Sequence, residues 1–394
     1  TRCSSRRRRI RKYNQESGCD PTNPFVIFPE VAELYAKRAE ELKKIVAEKY
    51  AAKAAWAKAN PELAAKLELF FSGKAPKVDW AAIEQKAGSA TRAASATVLG
   101  ALATQVENMI VASADLSNSD KTDGFLKKTH SFKKGDFSGA FFQAGVSELS
   151  MACICIGMSL HGGVIAACGT FFVFSDYMKP AVRMAALMEQ PVKFIWTHDA
   201  FRVGEDGPTH EPVEQLTMLR AMPNFNVFRP CDAQETNAGW YLAMTSKTTP
   251  TALVLSRQNL PQIKGSSREA LKGGYVIDEC EGTPEIIIIA SGSEVTLAVE
   301  AKKRIRGKAI RVVSMPSMDI FKQQSREYRE SILPPGIEKR IAIEAGSRMS
   351  WGEFVGLKGK YITMDSFGAS APADELFKRY GFTVDNVVKM INKL

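Results

Sequence analysis

Apolar residues recur every three to four positions over residues 31–58, which is the spacing of one face of an α-helix. Asn60 and Pro61 interrupt this pattern, and a second helix is predicted to run to Phe71. The stretch offers too little apolar area for a core of its own. We therefore interpret residues 25–86 as a helical linker.

From residue 87 the pattern changes to short apolar runs that alternate with helical segments. Strands are predicted over 107–112, 163–170, 192–196, 226–228 and 252–256. Helices are predicted over 93–106 and 175–188. Alternation of this kind indicates a parallel sheet with helices on both faces. Residues 87–264 are therefore predicted to form an α/β domain.

A joint rich in Gly, Ser and Lys at 265–273 precedes a second unit of the same kind. Its run of isoleucines at 285–290 is typical of a strand buried on both faces. Further strands are predicted over 310–314, 340–343 and 361–364, and helices over 294–304 and 384–393. The predicted fold class is α/β, with two consecutive parallel-sheet domains, 87–264 and 265–394, after the helical linker.

Composition is ordinary for a soluble globular protein of 394 residues, with 45% hydrophobic and 24% charged residues. No apolar run approaches the roughly 20 residues of a membrane span. The net charge of +10 could indicate a nucleic-acid partner. However, residues 1–24 carry seven basic and two acidic residues, so half of the excess lies in one short segment. We expect neither a nucleic-acid nor a membrane partner.

Residues 1–24 show no apolar periodicity and are predicted to be a disordered tail. A cut or altered end of a longer gene is favoured over a transit peptide or nucleic-acid arm, because initiator Met and amphipathic pattern are both missing. The seven cysteines are scattered, and Cys153-x-Cys155 has the wrong spacing for a zinc site. Reduced cysteines and a cytoplasmic location are expected.

The loop at 197–212 follows a predicted buried strand and holds two of the four histidines, several acids, two glycines and two prolines. Loops at the carboxyl ends of parallel strands are where α/β sheets bind ligands. The composition predicts a rigid polar loop suited to a small polyhydroxylated molecule. An acidic surface turn would explain the same composition.

Thr-His-Asp at 197–199, followed by Gly-Glu-Asp-Gly-Pro-Thr-His-x-Pro at 204–212, resembles the signature of the transketolases, which are thiamine diphosphate enzymes. The resemblance extends from about Pro24 to Leu394. Transketolases contain a diphosphate-binding, a pyrimidine-binding and a C-terminal domain, and this chain resembles the last two with the preceding linker. The resemblance thus implies a pyrimidine-binding domain at 87–264 and a transketolase C-terminal domain after it.

Glu148 lies between apolar residues just before an apolar helix. A lone Glu in such a place is ordinarily a helix N-terminal acid that the helix dipole stabilises. The resemblance implies another role, in which this carboxylate bonds N1′ of the cofactor's aminopyrimidine and so promotes proton removal from C2 of its thiazolium. Glu148 is therefore both a cofactor-binding and a catalytic candidate.

Phe171, Phe174 and Tyr177 recur every three residues after a predicted strand. Aromatic residues at this spacing are usually part of a hydrophobic core. The resemblance implies that they also line the slot for the pyrimidine ring. It further implies that Asp115 and Leu116 contact the cofactor near this ring.

The resemblance implies six substrate-binding residues: Arg92, Ser119, His198, Asp206, His210 and Arg257. Arginine and hydroxyl groups suit a phosphate dianion, so Arg92, Ser119, His198 and Arg257 are expected at the sugar phosphate. Asp206 is expected to bind a sugar hydroxyl. His210 is expected near the reacting carbonyl as a proton donor or acceptor, so both histidines are catalytic candidates.

No diphosphate–metal motif is found in this sequence. Glu205-Asp206-Gly207 with Asn224 imitates one loosely, but the spacing looks too short and Glu205 replaces a glycine. The expected cofactors are thiamine diphosphate and magnesium or calcium, with the metal ligands on a partner chain that carries the diphosphate-binding domain. The expected assembly is a homodimer or a heterotetramer.

The predicted function is that of the C-terminal subunit of a split transketolase of the pentose phosphate pathway. With its partner it would transfer a two-carbon ketol unit between ketose and aldose phosphates. One alternative is an inactive fragment or structural partner. Another is a related thiamine diphosphate synthase of the deoxyxylulose phosphate or dihydroxyacetone type.

Overall fold

The computed structural model describes residues 8–9, 12–13, 16, 18 and 25–394. The predicted disordered tail, 1–24, lies for the rest outside the described residues. Within these ranges, no helix is both long enough and apolar enough to cross a membrane. The chain divides into two compact units, residues 1–68 and 69–394.

Two helices occupy the region predicted as a linker. Helix α1 spans Pro29–Ala59 and helix α2 spans Pro61–Phe71. Asn60 separates them, and its backbone N–H closes α1 by donating to the carbonyl of Trp56. None of the side chains along α1, all of them described, is buried. This agrees with the expectation that the stretch lacks a core of its own.

The first sheet has six parallel strands in the order β2-β1-β3-β4-β6-β5. Their bounds are β1 Met109–Ser113, β2 Phe141–Gln143, β3 Ile165–Phe171, β4 Lys193–Thr197, β5 Asn226–Phe228 and β6 Thr251–Leu255. The helices are α3 Thr91–Gln105, α4 Ser117–Asp120, α5 Asp123–Leu126, α6 Glu148–His161, α7 Ser175–Leu187, α8 Gln215–Arg220 and α9 Ala233–Thr245. The predicted strands and helices of this domain are confirmed to within a few residues.

The second sheet has five strands in the order β11-β10-β8-β9-β7. Their bounds are β7 Tyr275–Asp278, β8 Ile286–Ala290, β9 Ile310–Ser314, β10 Arg340–Ile343 and β11 Lys360–Ile362. The helices are α10 Glu294–Arg304, α11 Met318–Lys322, α12 Arg326–Ile332, α13 Gly352–Val355, α14 Ala373–Arg379 and α15 Val384–Asn392. Every residue of the isoleucine-rich β8 is buried, as its sequence predicts.

One strand departs from the parallel plan. Strand β7 pairs antiparallel with β9, at the edge of the second sheet. Its residues alternate between buried and half-buried, since an edge strand covers the core on one face. The sequence analysis did not predict this strand.

A single hydrophobic cluster extends through both sheets. It includes Ile195 and Leu255 of the first sheet and Ile288 and Ile343 of the second. The two α/β domains therefore pack as parts of one unit, 69–394.

Candidate active site

The carboxyl ends of four neighbouring strands carry predicted site residues. Asp115 follows β1, Phe171 ends β3, His198 follows β4 and Arg257 follows β6. The strand order and register place these ends side by side, because Phe171 pairs with Thr197 and Thr197 pairs with Leu255. Of these four residues, the two predicted for the cofactor thus lie toward β1 and the two predicted for phosphate toward β6.

Two of these residues have left-handed backbone conformations. Asp115 has φ of 62° and His198 has φ of 63°. Such a conformation at a residue other than glycine costs on the order of 1–3 kcal/mol and persists only where surrounding contacts impose it. His198 is only 3% exposed, and its Nδ1 lies 2.8 Å from the hydroxyl oxygen of Thr197. The fold therefore fixes the imidazole at the end of β4.

Five rings line this edge of the sheet. Phe171 stacks on Phe174 with centroids 5.8 Å apart, and Phe174 stacks on Tyr177 at 5.9 Å. His198 lies 3.7 Å from the Phe171 centroid, and His210 lies 5.4 Å from that of Phe174. We call Phe171, Phe174 and Tyr177 the aromatic row. Tyr177 is 63% exposed, so the row is open to solvent at that end.

The potential around His198 is positive. Burial lowers the pKa of its imidazole to about 3, and the charges of Arg92 and Arg257, with His210, lower it further. His198 is therefore neutral at ordinary pH and offers an uncharged ring N–H. The same positive field that opposes an imidazolium favours a bound anion. This environment brings together four of the six predicted substrate residues.

Arg92 is held by its neighbours before any ligand arrives. Its Nη1 donates to the carbonyl oxygen of Ser119 at 2.7 Å. Burial lowers the pKa of this guanidinium, Arg257 lowers it further, and Asp120 opposes them. Buried Asp120 accepts from Ser113 at 2.7 Å, and burial raises its pKa. The carbonyl of Ser119 thus orients Arg92, and the phosphate contact of the Ser119 hydroxyl stays a prediction.

Glu148 is the first residue of α6 and is 9% exposed. The helix follows edge strand β2, which pairs with β1 on the side of the sheet that carries Asp115. Ser147 makes no side-chain cap bond to the helix, because its hydroxyl donates to Ala144 instead. A carboxylate at this helix start is favoured by the helix dipole, which keeps both interpretations of Glu148 open.

The remainder of the 197–212 loop rests on the C-terminal segment of the second domain. Phe201 packs against Phe377 and Phe382, with centroids 4.9 and 5.1 Å away. The hydroxyl of Ser370 donates to the carbonyl of Glu205 at 2.6 Å. Most of this loop is therefore buried, and the acidic surface turn that composition allowed is confined to residues 205–209, where Glu205 and Asp206 are exposed.

Glu211 was not singled out from the sequence. It is 2% exposed, and burial raises the pKa of its carboxyl to about 7, with the charge of Asp206 adding to the shift. Its place beside His210 in the same motif is the signal that could have identified it. Thr197, which contacts His198, could have been identified in the same way.

The residues described fit the aminopyrimidine ring of the expected cofactor better than its metal-bound diphosphate. The aromatic row offers flat apolar surface for an aminopyrimidine, and Glu148 lies at the same sheet edge. Among the residues in the described ranges, no group of three or more His, Cys, Asp or Glu side chains could hold a metal ion. The described part of the chain therefore suits the pyrimidine and offers no metal site for the diphosphate.

Comparison with known proteins gives two family matches. The family described as "Transketolase, pyrimidine binding domain" matches residues 87–262. The family described as "Transketolase-like TK C-terminal domain" matches residues 273–383. Together they cover most of the two α/β domains.

Similar whole proteins are transketolases. The transketolase of Bacillus subtilis is 50% identical over 345 residues, which are 85% of this chain and 51% of that protein. A transketolase structure from Pichia stipitis, in complex with sedoheptulose 7-phosphate, has a TM-score of 0.89 at 37% identity, covering 98% of this chain and 58% of the other. This chain thus spans about half the length of the relatives it matches.

A third similar protein is matched over nearly its whole length. A structure described as a split gene transketolase, an inactive β4 tetramer, has a TM-score of 0.63 at 26% identity. It covers 78% of this chain, and this chain covers 98% of it.

Proposed function

The chain belongs to the transketolase family, and from that premise we propose that it forms the pyrimidine-binding and C-terminal half of a transketolase active site. The observation that carries the proposal is the positive environment of buried His198 beside the aromatic row. A sugar phosphate and a flat heteroaromatic cofactor need these two surfaces next to each other.

Thiamine diphosphate, when bound, supplies a nucleophilic carbon that can carry a two-carbon ketol unit. On this chain, the aromatic row and the Asp115–Leu116 backbone hold its pyrimidine ring. The Glu148 carboxylate holds a proton at the ring nitrogen that faces it. These roles are supported by the burial of Glu148 and by the stacking of the row.

Ketose and aldose phosphates are the proposed substrates. Arg92 and Arg257 bind the phosphate dianion, and neutral His198 donates to it from the ring nitrogen that does not face Thr197. His210, against Phe174, moves a proton at the reacting carbonyl, and Asp206 binds a sugar hydroxyl. The bound sugar phosphate named for the Pichia stipitis structure supports this substrate class.

The diphosphate and its magnesium or calcium ion are proposed to be held by a diphosphate-binding domain on a partner chain. The split gene transketolase supports this arrangement, because this chain covers 98% of that protein's length. That protein is described as inactive, so we propose that residues 1–394 alone also lack activity and self-associate. The five cysteines that the structure describes are free, which supports a reducing location, the cytoplasm, where the pentose phosphate pathway operates.

A binding measurement tests the substrate half of this proposal. Calorimetry should show that the chain binds fructose 6-phosphate at least about tenfold more tightly than fructose, because the arginines pair with the phosphate. Arg257→Ala should remove most of this difference. Arg268→Ala, at another exposed arginine after the first domain, is the matched control. Equal affinity for both sugars would contradict the assignment and favour the inactive-fragment alternative.

A further inference from the structure

A fully buried arginine connects the 197–212 loop, which we call the substrate loop, to the second domain. Arg229 directly follows β5. Its Nε donates to Oδ2 of Asp199 at 2.9 Å, and its Nη1 donates to Oε2 of Glu294 at 2.5 Å. The same Nη1 donates to the carbonyl of Ser291 at 2.9 Å. One guanidinium thus bridges carboxylates from both domains, with no exposure of either ion pair beyond a few per cent.

The second-domain end of this bridge lies at the position where α/β sheets of this type form a ligand-binding crevice. Ser291, Gly292 and Ser293 lie between the carboxyl end of β8 and the start of α10, where open α/β sheets bind small molecules. The Arg229 guanidinium occupies this place so closely that a Cβ at Gly292 would lie 2.6 Å from it. The backbone of Arg229 is bonded to the second domain as well. Its N–H donates to the carbonyl of Pro316, and its carbonyl accepts from the N–H of Gly292. A side chain of the first domain therefore fills the crevice of the second.

The other end of the bridge lies in the substrate loop. Asp199 is the residue after His198, and both are buried. His198 needs a constraint, because its left-handed backbone is unfavourable for a side chain other than glycine. On the N-terminal side of His198, the Thr197 hydroxyl fixes the imidazole. On the C-terminal side, the Asp199–Arg229 ion pair anchors the backbone.

We propose that the Arg229 side chain occupies the place in the second domain where a ligand would otherwise bind. Through its ion pair with Asp199, Arg229 is then a positioning residue for His198. The C-terminal domain thereby sets the geometry of the phosphate pocket without touching substrate. The positioning of His198 stands on the contacts above, whereas its consequence for phosphate binding rests on the proposed function.

A second buried bridge between the domains provides a matched control. Arg220 of α8 donates from Nη1 and Nη2 to the two oxygens of Glu344, both at 2.7 Å. This pair is as buried as the Arg229 pairs, and its hydrogen bonds run to Glu344 and Ser350, outside the 197–212 loop. Glu344 also accepts from the hydroxyl of Ser291, which contacts Arg229, so the two bridges share Ser291 but not Asp199. Arg220→Met therefore removes a comparable ion pair and leaves Asp199 in place.

The primary test is NMR of the imidazoles in the full chain labelled with ¹⁵N-histidine, since the sequence has only four histidines. Asp199→Asn should shift or broaden the His198 signals and leave those of His130 and His161 unchanged. Arg220→Met should leave all four signals unchanged. An unaltered His198 spectrum in folded Asp199→Asn would overturn the proposal, as would an equal change in Arg220→Met.

Arg229→Lys covers the case in which Asp199→Asn does not fold. Lysine keeps the charge but has a single ammonium, so it cannot bridge Asp199 and Glu294 as the guanidinium fork does. His198 signals that move in this variant support the proposal, and signals that stay in place overturn it.

Calorimetry with fructose 6-phosphate separates this proposal from the function itself. Asp199→Asn should weaken binding about tenfold, while Arg220→Met should change it less than about twofold. If the unchanged protein does not bind the sugar phosphate at all but the His198 signals still respond to Asp199→Asn, the proposed function fails and the positioning stands.

Discussion

Glu148 is proposed to exchange a proton with the cofactor, although its sequence context fits an ordinary acid at a helix N-terminus equally well. In a complex reconstituted with a diphosphate-binding domain, Glu148→Gln should lower kcat by about two orders of magnitude or more, since proton exchange with the cofactor is lost. KM for sugar phosphates should change little. Steady-state kinetics of both proteins would measure this split.

Glu375→Gln is the control for the helix-acid interpretation. Glu375 is an exposed acid in the first turn of α14, so its amide variant weakens a helix dipole contact without changing a proposed site residue. Near-normal kcat in Glu148→Gln, matching that of Glu375→Gln, would show that Glu148 only caps its helix.

His198 should make the protein sensitive to acid. Its folded pKa of about 3 lies below the ordinary value of 6.5, so between these values the unfolded chain binds the proton and the folded chain does not. This contribution to stability is fully present above about pH 6.5 and is lost as pH falls toward 3. Through this histidine, the free energy of unfolding changes by at most about 1.4 kcal/mol per pH unit.

Urea unfolding of the wild type and His198→Asn between pH 7 and 4.5 would measure the effect. Asparagine tolerates the left-handed backbone, so the variant should fold. Its free energy of unfolding should fall less steeply on acidification than that of the wild type. His130→Asn, at a more exposed histidine, is the control. Parallel curves for wild type and His198→Asn would contradict the electrostatic description of the pocket.

Sequence reasoning proposed candidate residues mainly near strand ends and inside the 197–212 motif, and it passed over Glu211 in that motif. It did not find Arg229 or its partners, because Asp199 and Glu294 lie on opposite sides of a domain boundary and meet only in the folded chain. Asp120 was missed for a related reason, since only burial distinguishes it from a surface acid.

At the scale of elements, α6 and α7 pack against each other and expose many apolar side chains. These exposed side chains are Leu149, Ile154, Leu160, Tyr177, Met184 and Leu187. Exposed apolar patches of more than a few hundred Å² usually mark an interface. The proposed subunit contact therefore lies on these two helices, next to the aromatic row.

Leu187→Lys should weaken self-association, because a charge would have to be buried in the contact. Light scattering over a concentration series should show a wild-type dimer or larger species and a shift of the variant toward monomer. Leu357→Lys replaces a leucine of the second domain that is even more exposed, and it is the control. A wild-type chain that is monomeric at all concentrations would rule out this interface.

Element prediction succeeded where one periodicity dominated. The isoleucine run gave β8, and the apolar runs before residues 113 and 198 gave β1 and β4. It failed at β2 and β7, which have three and four residues and lie at sheet edges. Short length at an edge is not the whole reason, since the three-residue edge strands β5 and β11 were predicted. A strand also depends on the packing and pairing of its neighbours, which its own sequence does not show.

For the whole molecule, two α/β domains share one hydrophobic cluster and are joined by two buried ionic bridges, at Arg229 and at Arg220. The proposed phosphate-binding residues belong to the first domain, but the 197–212 loop that carries His198 rests on the second. We propose that this unit supplies half of a transketolase site and that a diphosphate-binding domain completes it.

Ketol transfer by a mixture of two polypeptides tests that claim most directly. The chain would be combined with the half of Bacillus subtilis transketolase that it does not match, in the presence of thiamine diphosphate and magnesium. Transfer from fructose 6-phosphate to an aldose phosphate should be absent with either polypeptide alone and present with both. Turnover by this chain alone, or a mixture of two folded and associated polypeptides that stays inactive, would contradict the account.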